Sequence, residues 1–344
     1  MWGSESDKQV GINLLLVKSY EKGIDLTLSA IGLLDPLVDY LLQLHNTVNT
    51  TDTTKNGNTR IERMERIFNL QKQSDKSKLV KVTQVLRNLV AISANHKVLA
   101  ENKKLIAFVL TRIIEEATNL QEHSHDADQY SRIFIEYDNI ALDQKEFTAN
   151  LRDMLAPCSR YFTGDELAEK ALPIFISFMK DDITDIDNAR RNFAAEFFAN
   201  FTALPENAAM IHKHEELLQT LAHELSALMA SHEELDIQGL AITSLMNLTA
   251  NLPSATAVNF CKVKNLLRHV TELLAEHAKE ESDIALKAAA VIKNLASFAD
   301  TKPFFAPLEE YLMRAILSDS DQDPDAMAET PALLVDALKM ILAS

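Results

Sequence analysis

The feature that most constrains the fold of this chain is an asparagine that returns at a fixed spacing. The stretch VLRNLVAISANHKVL, residues 85–99, contains Asn88, and the same pattern recurs around Asn200, Asn247 and Asn294. The last two steps, 200 to 247 and 247 to 294, are each 47 residues. A period of about 40 to 47 residues is typical of helical repeats, in which one unit cannot bury its apolar face alone. The sequence therefore predicts a chain built from stacked helical units.

The neighbours of these asparagines are also constant in character. Positions +1 and −2 are apolar in every unit: Leu89, Phe201, Leu248 and Leu295; Leu86, Phe198, Leu245 and Ile292. Positions +10 and +11 supply a second apolar pair: Val98-Leu99, Met210-Ile211, Ala257-Val258 and Phe304-Phe305. Position +7 holds a residue whose side-chain oxygen can accept from the first turn of a helix: Asn95, Asn207, Ser254 and Thr301. We predict that each unit ends a helix just past its Asn, turns, and starts the next helix with an N-cap at +7.

Asn150, in the stretch FTANLRDMLAP, is assigned to the same series although its unit is irregular. It lies 50 residues before Asn200 and 62 residues after Asn88, and Pro157 occupies its +7 position. The step of 62 exceeds the period of 47 by 15 residues, enough to hold the acidic stretch NLQEHSHDADQ. That stretch, residues 119–129, is predicted to be an inserted loop.

Composition indicates the fold class. Only 7 Gly and 9 Pro among 344 residues leave little material for the tight turns of a β protein, whereas helix formers are plentiful. We expect an all-α, armadillo-like α-solenoid with about five to six irregular repeats.

Residues 1–45 are predicted to form N-terminal capping helices that restart at Asp35-Pro36. Residues 46–59 are predicted to be a disordered loop and residues 60–344 the repeat array, with its acidic insertion near 119–129.

Charge is unevenly distributed along the chain. There are 34 Lys+Arg and 50 Asp+Glu, a net charge of −16. Residues 1–110 hold 15 basic and 11 acidic side chains, or +4, which leaves 19 and 39, or −20, for residues 111–344. Nucleic-acid affinity depends on cations that replace counterions, so this excess argues against a DNA or RNA interface and favours a basic protein partner.

No pattern of catalytic or metal-binding residues is present. The sequence has no Gly-rich phosphate loop and no HExxH, and Cys158 and Cys261 lack the spacing of a zinc site or a disulfide framework. His123, His125 and Asp126 are close in sequence, but no fixed scaffold would hold a metal between them. We therefore predict a non-catalytic chain that needs no cofactor.

No segment reaches 18 consecutive apolar residues and no signal-peptide pattern precedes the first helices, which predicts a soluble intracellular protein without a membrane partner.

The repeated asparagines have two possible uses. As partner-binding residues, a row of carboxamides would pair with the backbone of an extended segment and give it direction without reading its side chains. As structural residues, each would satisfy backbone groups of the neighbouring repeat. The sequence leaves both uses open for the candidate site residues, which are Asn88, Asn150, Asn200, Asn247 and Asn294.

The Asn-Leu units resemble those of armadillo-repeat proteins, a large family of scaffolds. Nuclear-import receptors of that family combine the Asn ladder with a Trp ladder, and here Trp2 is the only tryptophan, which disfavours the cargo-receptor type. The stretch EYDNIALDQKEFTANLRDMLAPCSRYFTGDELAEKALPIFISFM is similar to the C-terminal armadillo region of the AT-rich-interaction-domain subunit of SWI/SNF-type chromatin remodellers.

The order of the parts is similar too: a first unit, a loop insertion, an Asp-Asn followed by Ala-Asn-Leu, and then the remaining Asn units. This resemblance covers roughly Val82 to the C-terminus, and the DNA-binding module of the family is absent. It implies a nuclear core-assembly scaffold that contacts other remodeller subunits, including a segment of the ATPase subunit. The alternative is a cytosolic armadillo adaptor or cochaperone that captures an extended basic peptide.

Overall fold

The computed structural model describes most of the chain: residues 4–21, 26–28, 32–49, 59–123, 134–162, 170–180, 185–230, 234–277 and 282–317, with Val335, Asp336, Lys339 and Ile341. Across these residues the regular structure is helical and contains no strand. The prediction of an all-α fold is therefore confirmed.

The α-helices are numbered in chain order. They are α1 (Glu5–Tyr20), α2 (Leu34–Asn49), α3 (Thr59–Val90), α4 (Ala94–Glu101), α5 (Lys103–His123), α6 (Phe134–Cys158), α7 (Leu172–Ser177), α8 (Asp185–Phe201), α9 (Pro205–Lys213), α10 (Glu215–Leu228), α11 (Leu235–Thr249), α12 (Ser254–Cys261), α13 (Leu266–His277), α14 (Asp283–Ala296), α15 (Lys302–Phe305) and α16 (Glu309–Leu317). We call α3, α6, α8, α11 and α14 the Asn helices, because each carries one of the repeated asparagines.

The chain divides into two compact units, Met1–Tyr161 and Phe162–Ser344. In the first unit, α3 packs between α1 and α6 to form one layer. The second layer contains α2, which packs on α3, and α5, which packs on α6. The short helix α4 contacts α3, α5 and α6 and so connects the layers.

The second unit repeats this arrangement with the regular repeats. Its first layer has α11 packed between the Asn helices α8 and α14. Its second layer has α13 packed between α10 and α16, and the short helices α9 and α12 link the layers. An aromatic cluster fills the core at the start of this unit, where Phe197 packs edge-on against Phe175 at 4.8 Å between ring centroids and stacks on Phe201 at 5.4 Å.

The predicted helix ends are confirmed for four of the five asparagines. The Asn helices α3, α8, α11 and α14 end one or two residues after their Asn. The prediction is wrong for Asn150, because α6 continues through good helix formers to Cys158 and tolerates Pro157 in its last turn. The apolar neighbours form the core as predicted: those at +1 and −2 are at most 1% exposed.

The domain boundaries differ locally from those predicted. Helix α2 begins at Leu34, with Pro36 in its first turn, so the predicted restart is confirmed. It continues to Asn49, which makes the first four residues of the predicted 46–59 loop helical, and 50–58 lie outside the described residues. Helix α5 likewise runs through 119–123 of the predicted acidic insertion, whose remainder also lies outside them.

Candidate functional site

The five candidate asparagines occupy one layer in each unit. Asn88 and Asn150 lie in the first unit, and Asn200, Asn247 and Asn294 lie on consecutive Asn helices of the second. Four of them are partly buried near the C-terminal end of their helix, whereas Asn150 is 2% exposed. A partner therefore has no surface of Asn150 to contact in this structure.

In the second unit the carboxamides of Asn247 and Asn294 are each anchored to the preceding repeat by a hydroxyl group. The Nδ2 of Asn294 donates to Oγ1 of Thr249 at 3.2 Å, and that hydroxyl donates to the Met246 carbonyl at 3.1 Å. One step earlier, Nδ2 of Asn247 lies 3.3 Å from Oγ1 of Thr202. The Thr202 hydroxyl donates in turn to the Phe198 carbonyl at 2.7 Å. We call this chain from carboxamide to hydroxyl to carbonyl the hydroxyl relay.

The same relay occurs in the first unit. Asn88 donates to Oγ of Ser19 at 2.9 Å, and Ser19 donates to the carbonyl of Leu16 at 2.8 Å. Asn150 donates to Oγ1 of Thr83 at 3.3 Å, and Thr83 donates to its own helix at the Val80 carbonyl, 2.8 Å away. In all four relays the hydroxyl lies on, or one residue past, a helix that precedes the asparagine in the chain.

Asn200 differs from the other four asparagines. Its Nδ2 donates to the carbonyl of Glu196, one turn earlier in the same helix, at 3.0 Å. This bond holds the carboxamide against its own helix.

The relay fixes which way each carboxamide points. A hydroxyl that has given its proton to a carbonyl can only accept, so the Asn must present its Nδ2 to it. The Oδ1 therefore faces the other way, and in Asn88, Asn200, Asn247 and Asn294 it accepts no hydrogen bond from any described residue. The carboxamides are thus anchored on one side and keep a free acceptor on the other.

The surface beside Asn247 and Asn294 carries little net charge. On α11 the partly exposed neighbours are Leu240 and Thr243, and on α14 they are Leu286 and Ala290. The nearby cations are compensated, since Lys287 pairs with Asp283 and Lys293 pairs with Asp336 at 3.3 Å. A partner at this surface would meet amide acceptors among small or apolar side chains.

No residue at +7 caps the following helix with its side chain, so that prediction is wrong, although Thr301 does occupy the N-cap position of α15. Asn207 is the third residue of α9, and its Nδ2 donates back to the carbonyl of Phe201 at 3.0 Å. Thr301 donates to the carbonyl of Leu295 at 2.5 Å. In each case the side chain donates to a carbonyl at the C-terminal end of the preceding helix. That carbonyl belongs to the residue directly after the repeated Asn. Asn95 bonds in the same way to Leu89 at 2.9 Å.

Ser254 is the exception at +7, because a histidine from another helix makes the hydrogen bond that the other +7 side chains make. Ser254 is the exposed first residue of α12 and bonds to none of the described residues. The carbonyl at the equivalent position, that of Leu248, instead accepts from Nε2 of His212 at 2.9 Å. Since His212 belongs to the preceding repeat, it links two repeats, whereas Asn207 and Thr301 act within one.

This exchange of roles gives a matched mutational comparison. Asn207→Ala and Thr301→Val should each lower the free energy of unfolding by about 1 kcal/mol, the net worth of a buried hydrogen bond. Ser254→Ala should change it by less than about 0.5 kcal/mol, because an exposed side chain without a bond is removed. Urea unfolding followed by circular dichroism measures all three. Equal losses at the three positions would contradict the assignment.

The thiols and histidines of the described residues suit structural roles. Burial raises the pKa of both Cys158 and Cys261 to about 12, so neither thiol ionises near neutral pH. Burial also lowers the pKa of His212, partly offset by its bond to the Leu248 carbonyl. In the first unit, burial and the Arg112 guanidinium lower the pKa of His45, whose Nε2 accepts from Arg112 at 3.0 Å.

These two histidines should make stability depend on pH. Their folded-state pKa lies below the unfolded value of about 6.5, so the unfolded chain takes up protons first as the pH falls. Stability is therefore highest above about pH 6.5 and should decline as the pH falls below it. We expect the urea midpoint to fall between pH 7.5 and 5.5, and to fall less in His45→Gln and His212→Gln. A steeper decline in either variant would contradict the shifts.

No group of three or more potential metal ligands occurs among the described residues. Of the helices in that part of the chain, none combines the length and the apolar character that crossing a membrane requires. The sequence pattern His123, His125, Asp126 falls mostly outside the described residues and stays untested.

Comparison with known proteins adds no assignment. No known protein family matches the chain, and no curated protein matches it. Among solved structures, the crystal structure of an engineered protein from the Northeast Structural Genomics Consortium is similar to it at 13% sequence identity, over 89% of this chain and 97% of the other, with a TM-score of 0.45. At that TM-score the similarity carries no argument about function.

Proposed function

We propose that this chain is a non-catalytic protein-interaction scaffold of the armadillo-like α-solenoid type. Its partner-binding surface is the row of carboxamides of Asn200, Asn247 and Asn294 on α8, α11 and α14 of the second unit. The observation that carries the proposal is the orientation of Asn247 and Asn294, whose Nδ2 atoms are held by the hydroxyl relay while their Oδ1 atoms accept nothing from the described residues. A backbone N–H of an extended segment can donate to such an acceptor whatever its side chain, so the contact sets direction without reading sequence.

The solenoid assignment is supported by the way the helices recur. Each regular repeat of the second unit consists of an Asn helix, a short helix and a second-layer helix, and equivalent helices pack on each other. Nearest-neighbour packing of this kind is the defining property of helical repeat arrays. Such arrays bind partners along extended surfaces, which suits the row of carboxamides.

The biological setting rests on the sequence resemblance alone. On that basis we assign the chain to the core-assembly region of a SWI/SNF-type remodeller subunit in the nucleus. Its partners would be other core subunits and a segment of the ATPase subunit, with no direct contact to nucleic acid. The net charge of −20 over residues 111–344 supports the absence of a DNA-binding surface there.

The same charge favours one alternative. A cytosolic armadillo adaptor or cochaperone that captures an extended basic peptide would be steered to its partner by the acidic excess. The two functions differ in what they bind. A core scaffold should co-purify stoichiometrically with several large subunits, whereas an adaptor should release one partner in mild salt.

Affinity purification of the full chain with mass spectrometry tests both. The triple variant Asn200→Ser, Asn247→Ser, Asn294→Ser removes the carboxamides and should lose the partners. The control variant Thr202→Val, Thr249→Val removes two relay hydroxyls but keeps the carboxamides, of which Asn247 still donates to the Ala199 carbonyl at 3.3 Å, so it should weaken partner binding less than the triple variant does. Each lost bond should cost about 0.5–1.5 kcal/mol of stability in either variant. If the control loses partners as fully as the triple variant, the asparagines are structural and the proposal fails.

A further inference from the structure

Two cavities of the second unit share Glu215 as a wall. The larger has a volume of about 460 Å³, and Pro173, Ile176 and Leu217 supply its apolar lining. The smaller has a volume of about 220 Å³ and lies between α9, α10 and α12. Neither includes an Asn helix, so the pair forms a surface separate from the carboxamide row.

Glu215 is held in place between the cavities. It is the first residue of α10, and its Oε1 accepts from Nδ2 of Asn259 on α12 at 2.7 Å and from Nε2 of Gln219 at 3.4 Å. Its neighbour Glu216 is exposed, and its carboxylate accepts no hydrogen bond from the described residues. The larger cavity therefore has one oriented and one unpaired carboxylate at its wall.

The larger cavity suits a lysine or arginine side chain. The methylene groups of such a side chain pack against an apolar surface, and its charge lies at the tip. Acidic residues in a first turn also interact well with the helix macrodipole, so Glu215 and Glu216 alone would not imply a ligand. The macrodipole does not explain the apolar wall beside them, which α7 contributes through Pro173 and Ile176.

The smaller cavity suits an uncharged, aliphatic side chain. Leu218, Ala255, Phe260 and Val263 line it, and Lys213 at its wall would repel a second cation. The two cavities thus differ in chemistry although they adjoin at Glu215.

We propose that these cavities bind an extended protein segment that carries a basic residue and, two positions away, an aliphatic one. Alternate side chains of an extended chain point the same way and lie about 6.6 Å apart, which suits neighbouring cavities. The acidic excess of residues 111–344 attracts such a segment. The inference deepens the proposed function, because it assumes that the partner is an extended protein segment, but it uses different residues.

The test is a methyl NMR titration of the full chain, labelled at Ile, Leu and Val, with the peptide acetyl-Ala-Lys-Ala-Leu-Ala-amide. Saturable shifts are expected at Ile176, Leu217, Leu218 and Val263, and not at Leu240 or Leu286 on the Asn helices. The charge-reversed peptide acetyl-Ala-Glu-Ala-Leu-Ala-amide should bind more weakly. No saturable shift up to about 10 mM peptide, or equal binding of the two peptides, would overturn the proposal.

Variants locate the binding site. Glu216→Gln should weaken binding of the lysine peptide about two- to fivefold, the range for one solvent-exposed ion pair. Glu206→Gln, which removes an exposed charge from neighbouring α9 outside both cavities, should leave binding unchanged. The Asn200, Asn247, Asn294 triple serine variant should still bind the peptide even if it loses its partners. Loss of the peptide in that variant but not in Glu216→Gln would place it on the Asn helices and overturn the cavity assignment.

Discussion

Arg152→Met should destabilise the first unit by about 3–5 kcal/mol, because it removes the buried cation from its ion pair with Glu116. Arg152 on α6 and Glu116 on α5 join at 2.6 Å, with side chains only 6% and 14% exposed. Met fills much of the space of the arginine stem, so the loss reports the missing charge more than a cavity. Urea unfolding at pH 7 measures the loss.

Two further variants separate this effect from general damage to α6. In Arg152→Met with Glu116→Leu the stability should largely return, since apolar replacements of a buried pair are often neutral or better. Thr148, which donates to Glu116, also lies 3.3 Å from the Lys145 carbonyl and can donate there instead. Arg87→Met breaks the exposed pair with Asp153 and should cost only about 0.2–1 kcal/mol. If the double variant stays as unstable as Arg152→Met, the buried charge is not the cause.

Asn95→Ala should cost about 2–4 kcal/mol, the second-largest loss we expect. The side chain of Asn95 is fully buried, accepts from the Leu28 amide at 2.8 Å and donates to the carbonyls of Leu26 at 3.2 Å and Leu89 at 2.9 Å. Its removal leaves the buried Leu28 amide without an acceptor, and such a group costs about 1–3 kcal/mol by itself. Hydrogen exchange with mass spectrometry should show faster exchange in residues 26–28 than in the wild type.

Asn102→Ala is the matched control for Asn95. Asn102 also lies beside α4, but it is only partly buried; it accepts from the Leu105 amide at 3.0 Å and donates to the exposed Asp35 carboxylate at 3.0 Å. Loss of such a cap should cost about 0.5–2 kcal/mol and leave exchange in residues 26–28 unchanged. Equal effects of the two substitutions would show that Asn95 does not hold that segment.

The repeat spacing was sufficient to predict where four Asn helices end and which neighbours they bury. In a stacked array, an apolar residue at a fixed distance from a helix end points into the core in every repeat. The sequence pattern therefore predicts which residues are buried. Helix α1 lies within residues 1–45, which were predicted to form capping helices, but its bounds were not predicted, because GINLLLVKSY gives no clear helical period. Its start is nevertheless encoded by Ser4 and Asp7, which form a reciprocal capping box.

The +7 residues were chosen correctly but given the wrong role. Asn and Thr carry both a donor and an acceptor, and the sequence cannot say which one the backbone uses. In the structure the turn is tight enough for the side chain to reach back six residues, so the donor serves the earlier helix. Ser254 makes no such bond, and a histidine 36 residues from Leu248 donates to that carbonyl instead; no local pattern predicts this.

The candidate site was predictable only in part. The asparagines were found by their period, and two of their partners, Thr202 and Thr249, stand two residues after an Asn and could have been found by aligning the repeats. Ser19 and Thr83 follow no such rule, because α1 carries no repeated Asn and Thr83 precedes Asn88 in its helix. The direction of the carboxamides depends on those hydroxyls, so it could not be read from the sequence.

The order of donor and acceptor in the hydroxyl relay has a consequence for synthesis of the chain. Each hydroxyl precedes its asparagine, by 45 residues in both relays of the second unit. A ribosome at about 5–20 residues per second takes roughly 2 to 9 s to make such a segment, long after a helix has formed. When α11 or α14 is synthesised, the helix beside the hydroxyl that accepts from its asparagine has therefore already formed. The nascent chain can add these helices one at a time, starting from its N-terminus.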